Sequence, residues 1–266
     1  MTDESHATRI IDPDLVKRLH RALTAGGDEL HVVLQDPAPE VLRSALKNRS
    51  LSEEHLLALL KRRDLSEDLL KAIYQLEISR ESHRLQLALV RNPGTPGPVI
   101  LALLPHLHLF ELVDLCYLPG ITPDQKFAAE RAILQRLPTT ELGNKLTLAR
   151  RATATVVGEM LKEGDPRLVD ICLTNPHLRE VAILQFLNSQ AANADSISMV
   201  GRSQKWQTRP NLRMAMLKNP RTPDIWFVQY LPGLRTQDAR NLLASRRLNP
   251  RQRKLVEEEL LRRGGK

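Results

Sequence analysis

Anion binding is the chemistry that the side chains of this sequence offer most directly. Arg246, Arg247, Arg251, Arg253 and Lys254 surround Asn249-Pro250, a helix-start signal, and Lys205, Arg209 and Arg213 precede them with Trp206 in between. The free N–H groups of a helix start, joined by guanidinium groups, make a credible anion site. An exposed indole beside them would stack on a base. This set is therefore a candidate site for nucleic-acid phosphates or an acidic protein, and Arg235 and Arg240 could extend it. Three cations in the first turn also oppose the helix dipole, by up to about 1 kcal/mol per charge, with no compensation visible in the sequence.

Other candidates carry less. His106 and His108 invite a metal, but an i, i+2 spacing points two side chains apart on a helix, and no neighbouring His or Cys completes a site. Cys116 and Cys172 cannot make a disulfide framework or a four-ligand site, which suggests a reduced, cytoplasmic protein. Glu53-Glu54 and Glu257 to Glu259 suit solvated helix faces better than acid/base dyads. There is no Gly-rich phosphate loop, nucleophile elbow or zinc-protease helix, so neither an enzyme nor a cofactor is expected. In the basic segment only Asp224, near Trp226, or Asp238 sets an acid by an aromatic, and Asp224 reads as a first-turn helix residue.

The elements that must position these residues are helices. Aromatic residues are only 3% of a chain that is 42% apolar, so Leu, Ala, Val and Ile must build the core, and no segment alternates as a strand would. Thr95-Pro96, Thr122-Pro123, Thr222-Pro223 and Asn249-Pro250 each read as an N-cap followed by Pro at the first helical position. Ser52 and Ser66, each followed by two acids, give the same signal. The longest uncharged stretch, Asn92 to Phe110, is broken by four prolines and two histidines, and MTDESHATRI has no apolar run, so neither a membrane span nor a secretory signal is expected.

A tandem duplication organises the chain. LQLALVRNPGTP, Leu85 to Pro96, returns as LRMAMLKNPRTP, Leu212 to Pro223, an offset of 127 residues that holds without a gap from about residue 41 to 137. Residues 61–84 and their counterparts 188–211 have drifted almost completely. Inside each copy, helices ending in Asn recur at Asn48, Asn92, Asn175 and Asn219, spaced 44, 83 and 44 residues apart. These asparagines are expected to satisfy carbonyls left unpaired at helix ends. A unit of this length is that of HEAT and armadillo repeats.

The chain thus resembles an α-α superhelix of the HEAT or armadillo-like kind. Its NPxTP segments, Asn92 to Pro96 and Asn219 to Pro223, are similar to the leucine-rich-repeat-variant helical repeats of bacterial proteins. Some such proteins carry a cysteine-ligated iron–sulfur cluster before the repeats, where this sequence has no cysteine. The resemblance implies an all-α solenoid with a binding surface and no chemistry. On this frame residues 1–35 are an N-terminal capping helix and linker, 36–162 the first solenoid copy, and 163–266 the second, basic copy.

Charge separates the copies. The net charge of +8 divides at residue 200 into −3 before and +11 after. The copies control for one another: Pro119-Gly120 corresponds to Arg246-Arg247, and Asp124 to Arg251, whereas Trp226 and Phe227 match Val99 and Ile100 and so read as core. Trp206, opposite Ser79, is left as the exposed aromatic. The expected function is a non-enzymatic scaffold that binds a macromolecule, first of all a protein. The alternative is a nucleic-acid-binding solenoid using the basic C-terminal half, with a HEAT-like DNA glycosylase a more distant third.

Overall fold

The computed structural model describes residues 12–245 and 247–264, and all regular structure among them is helical. The chain divides into two compact units, residues 1–132 and 133–266. The first holds α1 (Pro13–Thr24), α2 (Gly27–Val33), α3 (Pro39–Ala45), α4 (Glu53–Leu59), α5 (Glu67–Gln75), α6 (Glu77–Glu81), α7 (His83–Arg91), α8 (Gly97–Leu103), α9 (Leu109–Leu115) and the start of α10 (Pro123–Arg136). The second holds α11 (Leu142–Arg151), α12 (Ala154–Leu161), α13 (Pro166–Thr174), α14 (Glu180–Leu187), α15 (Ala194–Arg202), α16 (Pro210–Lys218), α17 (Asp224–Tyr230), α18 (Thr236–Ala244) and α19 (Pro250–Gly264). The division falls within α10.

Most of these helices are two turns long, too short to persist alone in water, so packing must hold them. In the first unit α1 packs on α3 and α3 on α5, while α2 packs on α4 and α4 on α7. In the second, α11, α13 and α15 make one such series and α12, α14 and α16 another. Leucine, valine, isoleucine and alanine fill the spaces between, with Phe186 and Phe227 the largest side chains wholly buried.

The helix boundaries recur at the offset of 127 residues. α4, α5, α7 and α8 begin at Glu53, Glu67, His83 and Gly97, and α14, α15, α16 and α17 begin at Glu180, Ala194, Pro210 and Asp224. The correspondence crosses the drifted segment, where the starts of α5 and α7 are kept although a turn at residues 204–208 stands opposite α6. It also reaches α1 and α2, whose counterparts α11 and α12 begin at Leu142 and Ala154.

The recurring asparagines are buried, and each caps a helix other than its own. The Asn48 side-chain amide donates to the carbonyls of Ala22 and Ala25 at the end of α1, at 2.9 and 2.8 Å. Asn175 does the same to Ala149 and Ala152 at the end of α11. Asn92 reaches Leu60 and Arg62 beyond α4, and Asn219 reaches Leu187 on α14. Each Oδ1 meanwhile accepts from the backbone N–H two residues on, closing a local turn.

Two of the four helix starts differ from expectation. Thr122 and Asn249 cap α10 and α19, each reciprocated by a glutamine, Gln125 or Gln252, as in a capping box. Thr95 and Thr222 do not cap. Their hydroxyls donate back to the carbonyls of Leu89 and Met216, at 2.6 and 2.5 Å, and α8 and α17 start after the following proline. A buried hydroxyl takes a carbonyl within reach, and here that carbonyl, which also accepts from the Asn92 or Asn219 backbone N–H, belongs to the helix just ended.

Candidate ligand-binding groove

A groove of about 660 Å³ opens along α4 and α7 in the first unit. Its floor is apolar: Leu57 and Leu60 come from the end of α4, Leu87 and Ala88 from α7, and Leu118 from the turn after α9. Five cations rim it, Lys61, Arg62 and Arg63 following α4, and Arg84 and Arg91 on α7. Arg84, Leu87, Ala88 and Arg91 stand at i, i+3, i+4 and i+7, one face of a helix.

The five cations are not equivalent. Arg62 is a structural post, with Nη1 donating to the carbonyls of Leu34 and Asp36 at 2.8 and 2.9 Å, and Nε and Nη2 donating to Asp64 at 3.0 and 2.7 Å. The hydrogen bond to Asp64 raises the guanidinium pKa despite partial burial, and the same bond holds the Asp64 carboxyl below its ordinary range. Arg84 meets Glu53 at 3.3 Å. Lys61, Arg63 and Arg91 are exposed and form no ion pair among the described residues. Three uncompensated positive charges thus stand over a leucine floor, where low-dielectric walls strengthen their field.

The second unit gives the comparison. The positions matching Lys61, Arg62, Arg63 and Arg84 are Asn188, Ser189, Gln190 and Asn211, with only Arg91 matched by a cation, Lys218. The groove charge is therefore no requirement of the helical frame. Sequence reading passed over it because residues 61–84 look like drift. The signal was there, in three successive cations facing three neutral residues at the same helix end.

The candidate site expected near the C-terminus is differently disposed. Trp206 is a correction: it is buried, its indole Nε1 donates to the carbonyl of Leu173 at 2.9 Å, and Lys205 lies over its ring at 4.6 Å. Its counterpart Ser79 is buried as well, so the position belongs to the core in both units. Lys205 also donates to the carbonyl of Asn175. Arg213 is half-buried, donating to the carbonyl of Gln207 with its guanidinium over Tyr230, and Arg209 approaches Glu180 at 4.0 Å.

Around α19, Arg251 meets Asp224 in the first turn of α17 at 2.6 Å, and Lys254 lies 3.8 Å from Glu258. The dipole conflict expected at this helix start is thus offset across the helix pair. Arg247 and Arg253 are exposed, as are Arg235 and Arg240, and Arg246 lies outside the described residues. Asp224 is engaged by Arg251, while the Trp226 indole turns inward to donate to Ser198 Oγ at 3.0 Å.

Neither cysteine is poised for chemistry. Burial, with Glu130 adding to it, pushes the Cys116 thiol up to about 12, and burial near Glu163 does the same for Cys172. His106 and His108 separate: His106 ends the single turn Leu104–His106, whereas His108 caps α9 and meets His83 and Glu111, which sequence spacing had not joined to it. No family model matches the chain, and no curated protein or solved structure matches it either.

Proposed function

We propose that the chain is a non-enzymatic helical-repeat scaffold, a duplicated α-solenoid, whose first unit holds an acidic, leucine-bearing segment of a partner protein in the α4–α7 groove. The two series of helix contacts within each unit and the recurrence of helix boundaries support the solenoid reading, since stacked repeats bury their apolar faces only against neighbours. The groove itself carries the functional reading. Lys61, Arg63 and Arg91 stand unpaired over Leu57, Leu60 and Leu87, and of these three only Arg91 has a cationic counterpart, Lys218, in the second unit. An apolar floor suits side-chain anchors, and a cationic rim selects acidic neighbours and speeds their encounter. Nucleic acid is less well served, because the expected stacking residue, Trp206, is buried.

The test is fluorescence anisotropy of a labelled acidic Glu/Leu peptide, its Gln/Leu analogue, and single- and double-stranded DNA and RNA, across a salt series. The acidic peptide should bind in preference to the neutral one and weaken about tenfold or more in an Arg63→Glu/Arg91→Glu variant. An Arg247→Glu/Arg253→Glu variant should bind it as the parent does. Steep salt-dependent binding of nucleic acid, lost only in the second variant, would overturn the proposal in favour of a basic C-terminal nucleic-acid surface.

A further inference from the structure

His83, His108 and Glu111 come together at the starts of α7 and α9. His83 is the first residue of α7, and His108 is the N-cap of α9, with Glu111 three residues into that helix. The two imidazole rings lie 4.3 Å apart between centroids. Both carboxylate oxygens of Glu111 are 2.9 Å from His83 Nε2, and one of them also accepts from the His108 backbone N–H at 2.7 Å. One donor atom from each side chain lies within 4.8 Å of the other two. Among the described residues this is the one group of three such side chains gathered so closely.

We propose that His83, His108 and Glu111 bind a divalent transition-metal ion of the zinc type, with water completing the coordination. Two neutral imidazoles and one carboxylate are the borderline donor set that zinc, cobalt and nickel prefer, while magnesium and calcium favour oxygen alone. A tetrahedral ion with bonds of about 2.0–2.1 Å sets its ligands roughly 3.3 Å apart. Small rotations of three partly exposed side chains bring the donors to that spacing. Glu111 is already oriented by a backbone N–H, the kind of outer support that ligating carboxylates ordinarily have.

Two internal comparisons separate this cluster from the needs of the fold. In the second unit the corresponding residues are Pro210, Arg235 and Asp238, and α16 and α18 start at the matching positions without either imidazole. The helical frame therefore does not require the histidines. The first unit holds another ring pair, His31 and His55, also 4.3 Å apart. There the His55 nitrogens are engaged with Ser52 and with the carbonyl of Gly27, and no carboxylate joins them. That pair reads as packing, and its counterparts Gly158 and Ala182 lie close as well, since a Cβ at Gly158 would fall 3.2 Å from that of Ala182.

The competing account is a capping box joined to a histidine–glutamate ion pair, and the experiment distinguishes the two. The full chain is titrated with Zn²⁺ against a chromophoric chelator, and separately with Co²⁺ by visible absorption. The variants are His83→Gln, His108→Ser, which keeps a cap acceptor, and Glu111→Gln, which keeps the capping contact, with His31→Gln as control. The parent and control should bind one Zn²⁺ per chain, give a tetrahedral Co²⁺ spectrum and gain thermal stability on adding zinc. Each cluster variant, confirmed helical by circular dichroism, should bind at least about tenfold more weakly. A parent that binds no stoichiometric zinc, or His83→Gln and Glu111→Gln proteins that bind as the parent does, would overturn the site.

Discussion

Asn92 and Asn219 show how one residue type can join two helices. Each is buried with its amide donating to carbonyls at the end of a helix some thirty residues earlier, so its loss leaves buried acceptors unpaired. Asn92→Ala and Asn219→Ala should each destabilise the protein by about 1–3 kcal/mol in denaturant titrations. Asn92→Asp should cost more than Asn92→Ala, because a carboxylate can still close the local turn but cannot donate to Leu60 and Arg62, and it sets charge against two carbonyl oxygens. An aspartate as stable as the parent would mean that the turn alone matters. The recurrence of these asparagines was plain from sequence, and so was their role at helix ends. The helix they cap was not, because an amide's partner across 32 residues leaves no local pattern.

At the scale of elements, several helix starts were legible where a polar residue precedes two acids or a proline. Ser52, Ser66, Thr122 and Asn249 stand where expected. Thr95 and Thr222 have the same local signature and turn the other way, because a carbonyl of the preceding helix is within reach. Close packing of α15 on α17 gives a sharper test. A Cβ at Gly201 would lie 2.7 Å from the Trp226 ring, which is itself buried and hydrogen-bonded to Ser198. Alanine ordinarily favours a helix over glycine by about 1 kcal/mol, yet forcing a methyl into this contact costs about 1–3 kcal/mol. Gly201→Ala should therefore leave stability unchanged at best and reduce it by up to about 2 kcal/mol, measured by thermal or chemical unfolding. A clear gain would show that α15 and α17 are free to move apart.

Across the whole molecule, the two cysteines sit one in each compact unit, and burial raises both thiols to about 12. A thiol reagent at pH 8 should leave both unmodified in the native protein, with labelling appearing only as each unit unfolds. Site-resolved labelling in rising denaturant then reads the stability of the two units separately. Rapid modification of Cys116 or Cys172 without denaturant would contradict their burial. The division of net charge between the two ends was readable from composition, but it pointed to the C-terminal half, where Arg251, Arg209 and Lys254 lie near acidic partners and Trp206 is buried. The sequence by itself determined that the chain is helical, where most helices begin, and at what offset its pattern returns, since apolar periodicity, caps and prolines act within one or two turns. Only the tertiary structure decided which cations stand free over the leucine floor and that His108 meets His83 and Glu111. The bonds of Arg62 to Leu34 and of His83 to Glu111 each span 28 residues, a separation for which no local period exists.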